Sequence, residues 1–215
     1  MAKVWQSDRL VYRKITSEDD DFLTILHANS LDFIQSAPFA PAPTGKKDNE
    51  FVQKRFAEAL LGVAICLQPD TSSSKDDTQR MNGDVHKDSK PIPIGILMLG
   101  AEDGALAHHR HGHLGLWISS AYQGKGYGSE AIRWSLNWAF RMVNLHRVDL
   151  SAFEWNTGAV KLYEKMGFKV EGRKREHFWY DGRYWDEIGM GILQREWREI
   201  YGDAAKDASL GAGQG

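Results

Sequence analysis

Leu114-Gly115-Leu116-Trp117-Ile118-Ser119-Ser120-Ala121-Tyr122-Gln123-Gly124-Lys125-Gly126-Tyr127-Gly128-Ser129-Glu130 is the stretch around which the chain is organised. Leu114, Leu116 and Ile118 alternate with Gly115 and Trp117, the pattern of a half-buried strand. From Ser129 the apolar positions change to helical spacing, and Ile132, Leu136, Ala139, Phe140 and Val143 form one stripe. Between strand and helix, Gly124, Gly126 and Gly128 fall at every second position. Glycine leaves backbone N–H groups unshielded there, and a helix N-terminus adds a dipole end worth roughly +0.5 charge. Such a turn binds phosphate or another anion.

Two nucleotide-binding fingerprints use the same device with other spacings. A dinucleotide site has G-x-G-x-x-G directly after a strand, whereas here the glycines run G-x-G-x-G behind a polar lead-in. A Walker A loop follows Gly-Lys with Ser or Thr, and here Gly126 follows Lys125. What Gln123-Gly124-Lys125-Gly126-Tyr127-Gly128 resembles is the Q/R-x-x-G-x-G/A signature with which the GNAT superfamily of N-acetyltransferases grips the pyrophosphate of acetyl-CoA.

The 215-residue chain can hold one full core, so a single domain over residues 1–202 is expected. A net charge of −2, with Lys and Arg scattered among acids, speaks against nucleic acid as a partner. The lone cysteine, Cys66, excludes an internal disulfide and lies in the apolar run Val63-Ala64-Ile65-Cys66-Leu67, as a buried structural thiol would. The first residues lack a signal peptide's apolar region, and no run reaches membrane-spanning length. A cytoplasmic protein is expected, with a nuclear one the other choice, and a monomer or homodimer that has no membrane partner.

Upstream, Arg9-Leu10-Val11-Tyr12-Arg13-Lys14-Ile15 alternates as a first strand. Ser17 with Asp20 has the form of a capping box and opens a helix through Phe22, Leu23, Ile25 and Leu26. The acidic run Glu18-Asp19-Asp20-Asp21 suits a helix's first turn, and it also has the charge to attract a polyamine. Ser36 to Gly45 holds Pro38, Pro41 and Pro43, cannot be regular, and stands where a substrate lid would be. Asp48 is the expected N-cap of a second helix carrying Phe51, Val52, Phe56, Ala59 and Leu60. Strands are expected at Val63–Leu67 and Ile94–Leu99, and the polar stretch 68–92 reads as a disordered insertion between them.

His108, His109, His111 and His113 fall within six residues, but no carboxylate or cysteine spacing accompanies them, so no metal is expected. Arg147 to Phe153 alternates again, and this strand must run parallel to the organising strand because a helix crosses between them. A further helix puts Ala159, Leu162, Tyr163 and Met166 on one face and stops at Gly167. Two last strands are expected near Phe168–Arg173 and Tyr184–Leu193, linked through an aromatic-rich segment with Asp181-Gly182 as turn signal. Residues 203–215 read as a disordered tail.

Asn156, Ala159 and Leu162-Tyr163-Glu164-Lys165-Met166-Gly167-Phe168 resemble the N-x-x-A-x-x-L-Y-x-K-x-G-F pattern that follows the fifth strand in GNAT enzymes. The resemblance spans Arg9 to Trp197, and Gly167 to Arg173 is similar to the branch with ribosomal-protein, N-terminal and spermidine acetyltransferases. It implies an α/β (α+β) fold: a mixed, mostly antiparallel central sheet, splayed at a parallel strand pair and flanked by helices. Acetyl-CoA would be the co-substrate. Its pantetheine arm would lie on the backbone of Trp117, Ile118 and Ser119, and its pyrophosphate on Gln123, Gly124, Lys125, Gly126, Tyr127, Gly128 and Ser129. Asn156 would bond the pantetheine amides, or cap the helix, or both. By resemblance Tyr163 is the general acid; its residues alone make it a core aromatic of an apolar helix face.

The chemistry sets further requirements. An amine of pKa ~10.4 is neutral in about one part in 2,500 at pH 7, a cost near ~4.6 kcal/mol, so a base or a desolvating pocket is needed. For an α-amino group of pKa ~8 the cost falls to ~1.4 kcal/mol and a water chain suffices. His113 shares a strand face with Gly115 and Trp117 and has the imidazole suited to a base, or is a solvated residue at a strand start. Glu154, just past the parallel strand, is the competing base. A free strand N–H near Trp117 or Ile118 would hold the oxyanion, and a phenol of pKa ~10 can protonate a thiolate of pKa ~8.5. The acceptor is a primary amine, either a small-molecule amine or polyamine or a protein N-terminus or lysine. Phe178, Trp179, Tyr180, Tyr184 and Trp185 wall a pocket for it, or pack the final hairpin or a dimer interface. A non-catalytic acyl-CoA sensor and a nucleotide-binding module use the same turn, and they differ from the enzyme in turnover and in ligand.

Overall fold

Alternating segments and one crossover helix give a single seven-stranded sheet. The computed structural model describes residues 4–28, 42–68 and 90–202. The expected insertion at 68–92, apart from its ends, and the tail at 203–215 lie outside the described residues, as does most of the proline-rich loop. The strands are β1 Leu10–Arg13, β2 Leu61–Leu67, β3 Ile92–Ala101, β4 His111–Ile118, β5 Arg147–Phe153, β6 Lys169–Tyr180 and β7 Arg183–Leu193, in the order β1-β2-β3-β4-β5-β7-β6. Each neighbouring pair is antiparallel except β4–β5, which pairs only from His111 to His113 against Arg147 to Asp149. Beyond that rung the two strands part.

The helices are α1 Asp20–Ala28, α2 Lys46–Glu58, α3 Tyr127–Asn137, α4 Thr157–Lys165 and α5 Gln194–Tyr201. One sheet face carries Leu97, Leu99, Leu114, Val148, Met190 and Ile192 against Ile132 and Leu136 of α3. Burying each such side chain contributes about 1.5–3 kcal/mol. The other face is smaller: Leu23 and Leu26 of α1 and Phe56 of α2 cover Ile96 and Met98 of β3. Cys66 is fully buried in β2, and burial pushes its thiol up to about 11.

Four local expectations are corrected. The helix cap lies one residue early: Asp19 accepts from the Thr16 N–H at 2.9 Å and also holds Arg13 through two bonds of 2.7 and 2.8 Å, so Asp20 is left to begin α1. Gly45, not Asp48, is the N-cap of α2; Asp48 sits a turn inside and reaches back to the Gly45 N–H at 2.7 Å. α3 begins at Tyr127 rather than Ser129 because Gly126, at φ +83°, supplies the left-handed cap. The aromatic-rich link is not a loop: β6 runs through it to Tyr180, and Asp181 and Gly182, both at positive φ, close the hairpin.

Candidate active site

The turn between β4 and α3 has the form the glycine spacing requires. Gly124 and Gly126 stand at φ +70° and +83°, where a Cβ is disfavoured. The first amide to join the helix ladder is that of Glu130, which bonds Gly126 O at 3.1 Å. Among the described residues, the N–H groups of Gly124 through Ser129 have no protein partner. The turn walls a groove of about 510 Å³ whose opposite side is α4, with Lys161 and Lys165. Lys125 does not line the groove; its ammonium folds back onto Ala121 O at 2.8 Å, so its backbone N–H is what it offers.

A clamp that the sequence did not announce holds this turn. Arg9 donates to Glu130 through its backbone N–H (2.7 Å) and Nε (2.8 Å), and through Nη1 to Lys125 O (3.0 Å). Ser7 adds a bond of 2.7 Å to the same carboxylate. Burial pushes the Glu130 carboxyl up, but these donors and the Arg9 charge outweigh it and leave the group below its ordinary range.

Strand register decides which backbone groups face the opening. The Ser119 N–H donates to Ile94 O at 2.9 Å, so Ser119–Ile94 is a hydrogen-bonded pair, and by alternation so is Trp117–Ile96. Trp117 and Ser119 therefore turn their main-chain groups into β3. Leu116 and Ile118 turn theirs toward the space that β5 vacates. Gln123 Nε2 occupies the Ile118 carbonyl at 2.8 Å, which leaves the Ile118 N–H facing the gap.

A second cavity, of about 530 Å³, opens on the other face of the sheet. The two cavities share Leu116, Ile118, Asn156, Ala159 and Tyr163, so they meet where β4 and β5 separate. Asn156 caps α4, its Oδ1 accepting from the Ala159 N–H at 3.1 Å. Tyr163 is 8% exposed. Burial raises its pKa to about 12.

His113 lines the second cavity, and its Nδ1 lies 2.7 Å from Asp149 Oδ1 on the last paired rung. Burial pushes the Asp149 carboxyl up, but His113 and Arg147 overcome this and hold it below its ordinary range. Glu154 lines neither cavity: its carboxylate takes Arg173 Nη1 at 3.0 Å and the Asp186 N–H at 3.1 Å, fixing the corner after β5. The carboxylate that does line the second cavity is Glu187, which sequence reasoning missed. It is 7% exposed and is held by Ser151 Oγ at 2.5 Å, Lys174 Nζ at 3.0 Å and His177 Nε2 at 3.1 Å. The signal was present in β7, where Glu187 shares a face with Gly189 and Gly191, residues too small to fill the space above the sheet. Of the five hairpin aromatics only Phe178 lines the cavity; Trp179 and Tyr184 pair with each other, exposed, at 4.9 Å. Among the described residues, no group of three His, Cys, Asp or Glu could hold a metal.

The site is thus a mixed sheet splayed at its one parallel pair, with a glycine turn on one side of the opening and a second cavity on the other. The chain belongs to the acetyltransferase (GNAT) domain family, whose pattern matches residues 9–169. Spermidine N(1)-acetyltransferase of Escherichia coli K12 is 34% identical over 89 residues, covering 41% of this chain and 48% of that protein. The putative ribosomal N-acetyltransferase YdaF of Bacillus subtilis is 30% identical over 118 residues, 52% of this chain and 64% of that one. The matches thus span about half to two thirds of these relatives' lengths. The crystal structure of spermidine N-acetyltransferase from Vibrio cholerae with CoA and spermine superposes with a TM-score of 0.68 at 24% identity, over 89% of this chain and 99% of that one, and so shares the fold. Among the described residues no helix is long and apolar enough to cross a membrane.

Proposed function

We propose that the protein transfers acetyl from acetyl-CoA to a primary amine by direct attack within a ternary complex. The observation that carries this is the meeting of two cavities on opposite sheet faces at Leu116, Ile118, Asn156 and Tyr163, one of them walled by the turn with free N–H groups. The donor's pyrophosphate would take the N–H groups of Gly124 to Ser129. Its pantetheine arm would bond the backbone of Leu116 and Ile118, not that of Trp117 and Ser119. The thioester then reaches the gap, and the amine approaches from the second cavity.

His113, with Nδ1–H given to Asp149, would present Nε2 as acceptor for the amine's proton. As the amine attacks, the Ile118 N–H would receive the developing oxyanion. Collapse of the tetrahedral intermediate breaks the C–S bond, and Tyr163 would give its proton to the departing sulfur. A phenol raised to about 12 is a weaker acid than the thiol it forms in water, but the burial that raises it also raises the basicity of a thiolate beside it. The expected result of Tyr163→Phe is a kcat at least about 10²-fold lower with an unchanged calorimetric Kd for CoA. Binding of CoA without thiol release by the wild-type protein, across a broad amine panel, would leave only the sensor reading.

A further inference from the structure

We infer that the acceptor is a monoamine carried on an aromatic or branched apolar body, and not a polycation. The inference rests on the acetyltransferase reading, since it concerns that reading's acceptor cavity. The walls come first. Phe51, Val52 and Phe56 of α2 face Phe153 and Phe178 across the cavity, over the apolar floor of Ile96 and Met98. A cavity of about 530 Å³ with such walls suits a compact apolar ligand fixed by a few polar groups.

The charges argue the same way. A polyamine needs carboxylates spaced along its length, yet among the described lining residues Glu187 is the single carboxylate, and Lys174 already pairs with it at 3.0 Å. A cation also stands at the cavity's edge: Arg55 of α2, an exposed residue, lines it without an ion-pair partner among the described residues. At an effective dielectric of about 20, a second ammonium ~8 Å from such a charge would bind about thirty-fold more weakly.

The acidic run Glu18 to Asp21 lines neither cavity, and three of its four carboxylates are engaged elsewhere. Asp19 holds Arg13, Glu18 meets Lys90 at 3.0 Å, and Asp20 accepts from Gln53 at 2.5 Å. One amine, placed at the gap beside His113 with its apolar body among the phenyl rings, needs no carboxylate beyond those the cavity supplies.

The test compares 2-phenylethylamine, spermidine and a hexapeptide with a free N-terminus in a thiol-release assay on the full chain. The expected kcat/KM for 2-phenylethylamine exceeds that for spermidine by about thirty-fold or more. Phe51→Glu, at an exposed position where folding should be retained, is expected to shift that ratio at least tenfold toward spermidine. Equal or faster turnover of spermidine, faster turnover of the peptide, or an unmoved ratio in the variant would each overturn the inference. CoA binding with no turnover of any amine would overturn it and leave the donor site standing. No binding of CoA would remove the acetyltransferase reading and the inference with it.

Discussion

Gly126→Ala tests the donor site at its most constrained point. Gly126 caps α3 at φ +83°, and an L-residue in that region costs roughly 1–2 kcal/mol. Sterics add a smaller amount: the new Cβ would lie 3.3 Å from Arg9 Nη2, so the guanidinium held by Glu130 and Lys125 O must give by a few tenths of an ångström. The strain must surface somewhere. If the turn keeps its shape, the folded state loses about 1–2 kcal/mol of stability and CoA binds as before. If the turn relaxes, stability is spared, but CoA must restore the strained turn on binding, and its Kd rises about 5- to 30-fold. Urea unfolding and CoA calorimetry on one preparation measure both terms, which should sum to about 1–2 kcal/mol. Gly172→Ala is the control, since nothing lies within 4 Å of its Cβ position and its φ is not positive. An unfolding midpoint and a Kd that both stay at wild-type values would refute the account of the turn.

Three further outcomes are expected. Arg9→Ala removes the bond to Lys125 O and one of the three bonds to Glu130, and should raise the CoA Kd about 5- to 10-fold with little change in the acceptor KM; a change confined to the acceptor would count against the clamp. Asp149→Asn should lower kcat about tenfold or more while leaving CoA affinity intact, because the amide can donate to His113 Nδ1 and favour the wrong tautomer; His113→Gln should then be no worse when combined with it. Asp19→Asn weakens the pair that the buried carboxylate makes with the half-buried Arg13 and should cost about 1.5–3 kcal/mol by chemical denaturation. Burial raises the Asp19 carboxyl, yet Arg13 and Thr16 hold it lower than normal, so its contribution is complete above the unfolded-state pKa of ~3.9 and drains as pH falls below that. An acid-unfolding profile identical in the wild type and the variant would show the pair to be inert.

The elements were legible where the residues carry a strong period or a special backbone. The β4 alternation, the α3 stripe and the glycine spacing are local facts, and each led to the right strand, helix and turn. Caps were off by a residue or more because Asp19 serves Arg13 as well as the helix, and because Gly45 was free to take the extended cap geometry. The aromatic-rich segment was read as a link because its pairing with β7 is interrupted between Lys174 and Phe178, around Glu176 at φ +51°.

What the sequence by itself determined is the glycine turn: G-x-G-x-G at a helix start gives left-handed backbone at Gly124 and Gly126 and leaves N–H groups free. The tertiary structure alone decided what lines the second cavity. Whether Trp117 or Ile118 faces the gap depends on which pairs of β3 and β4 are hydrogen-bonded, a register that the sequence of β4 does not contain. Glu154 and Glu187 are both acids near strand ends, and only the fold pairs one with Arg173 outside the cleft and sets the other, with Ser151, on the floor of the cavity. Those assignments are made between residues distant in the chain, and folding fixes them together.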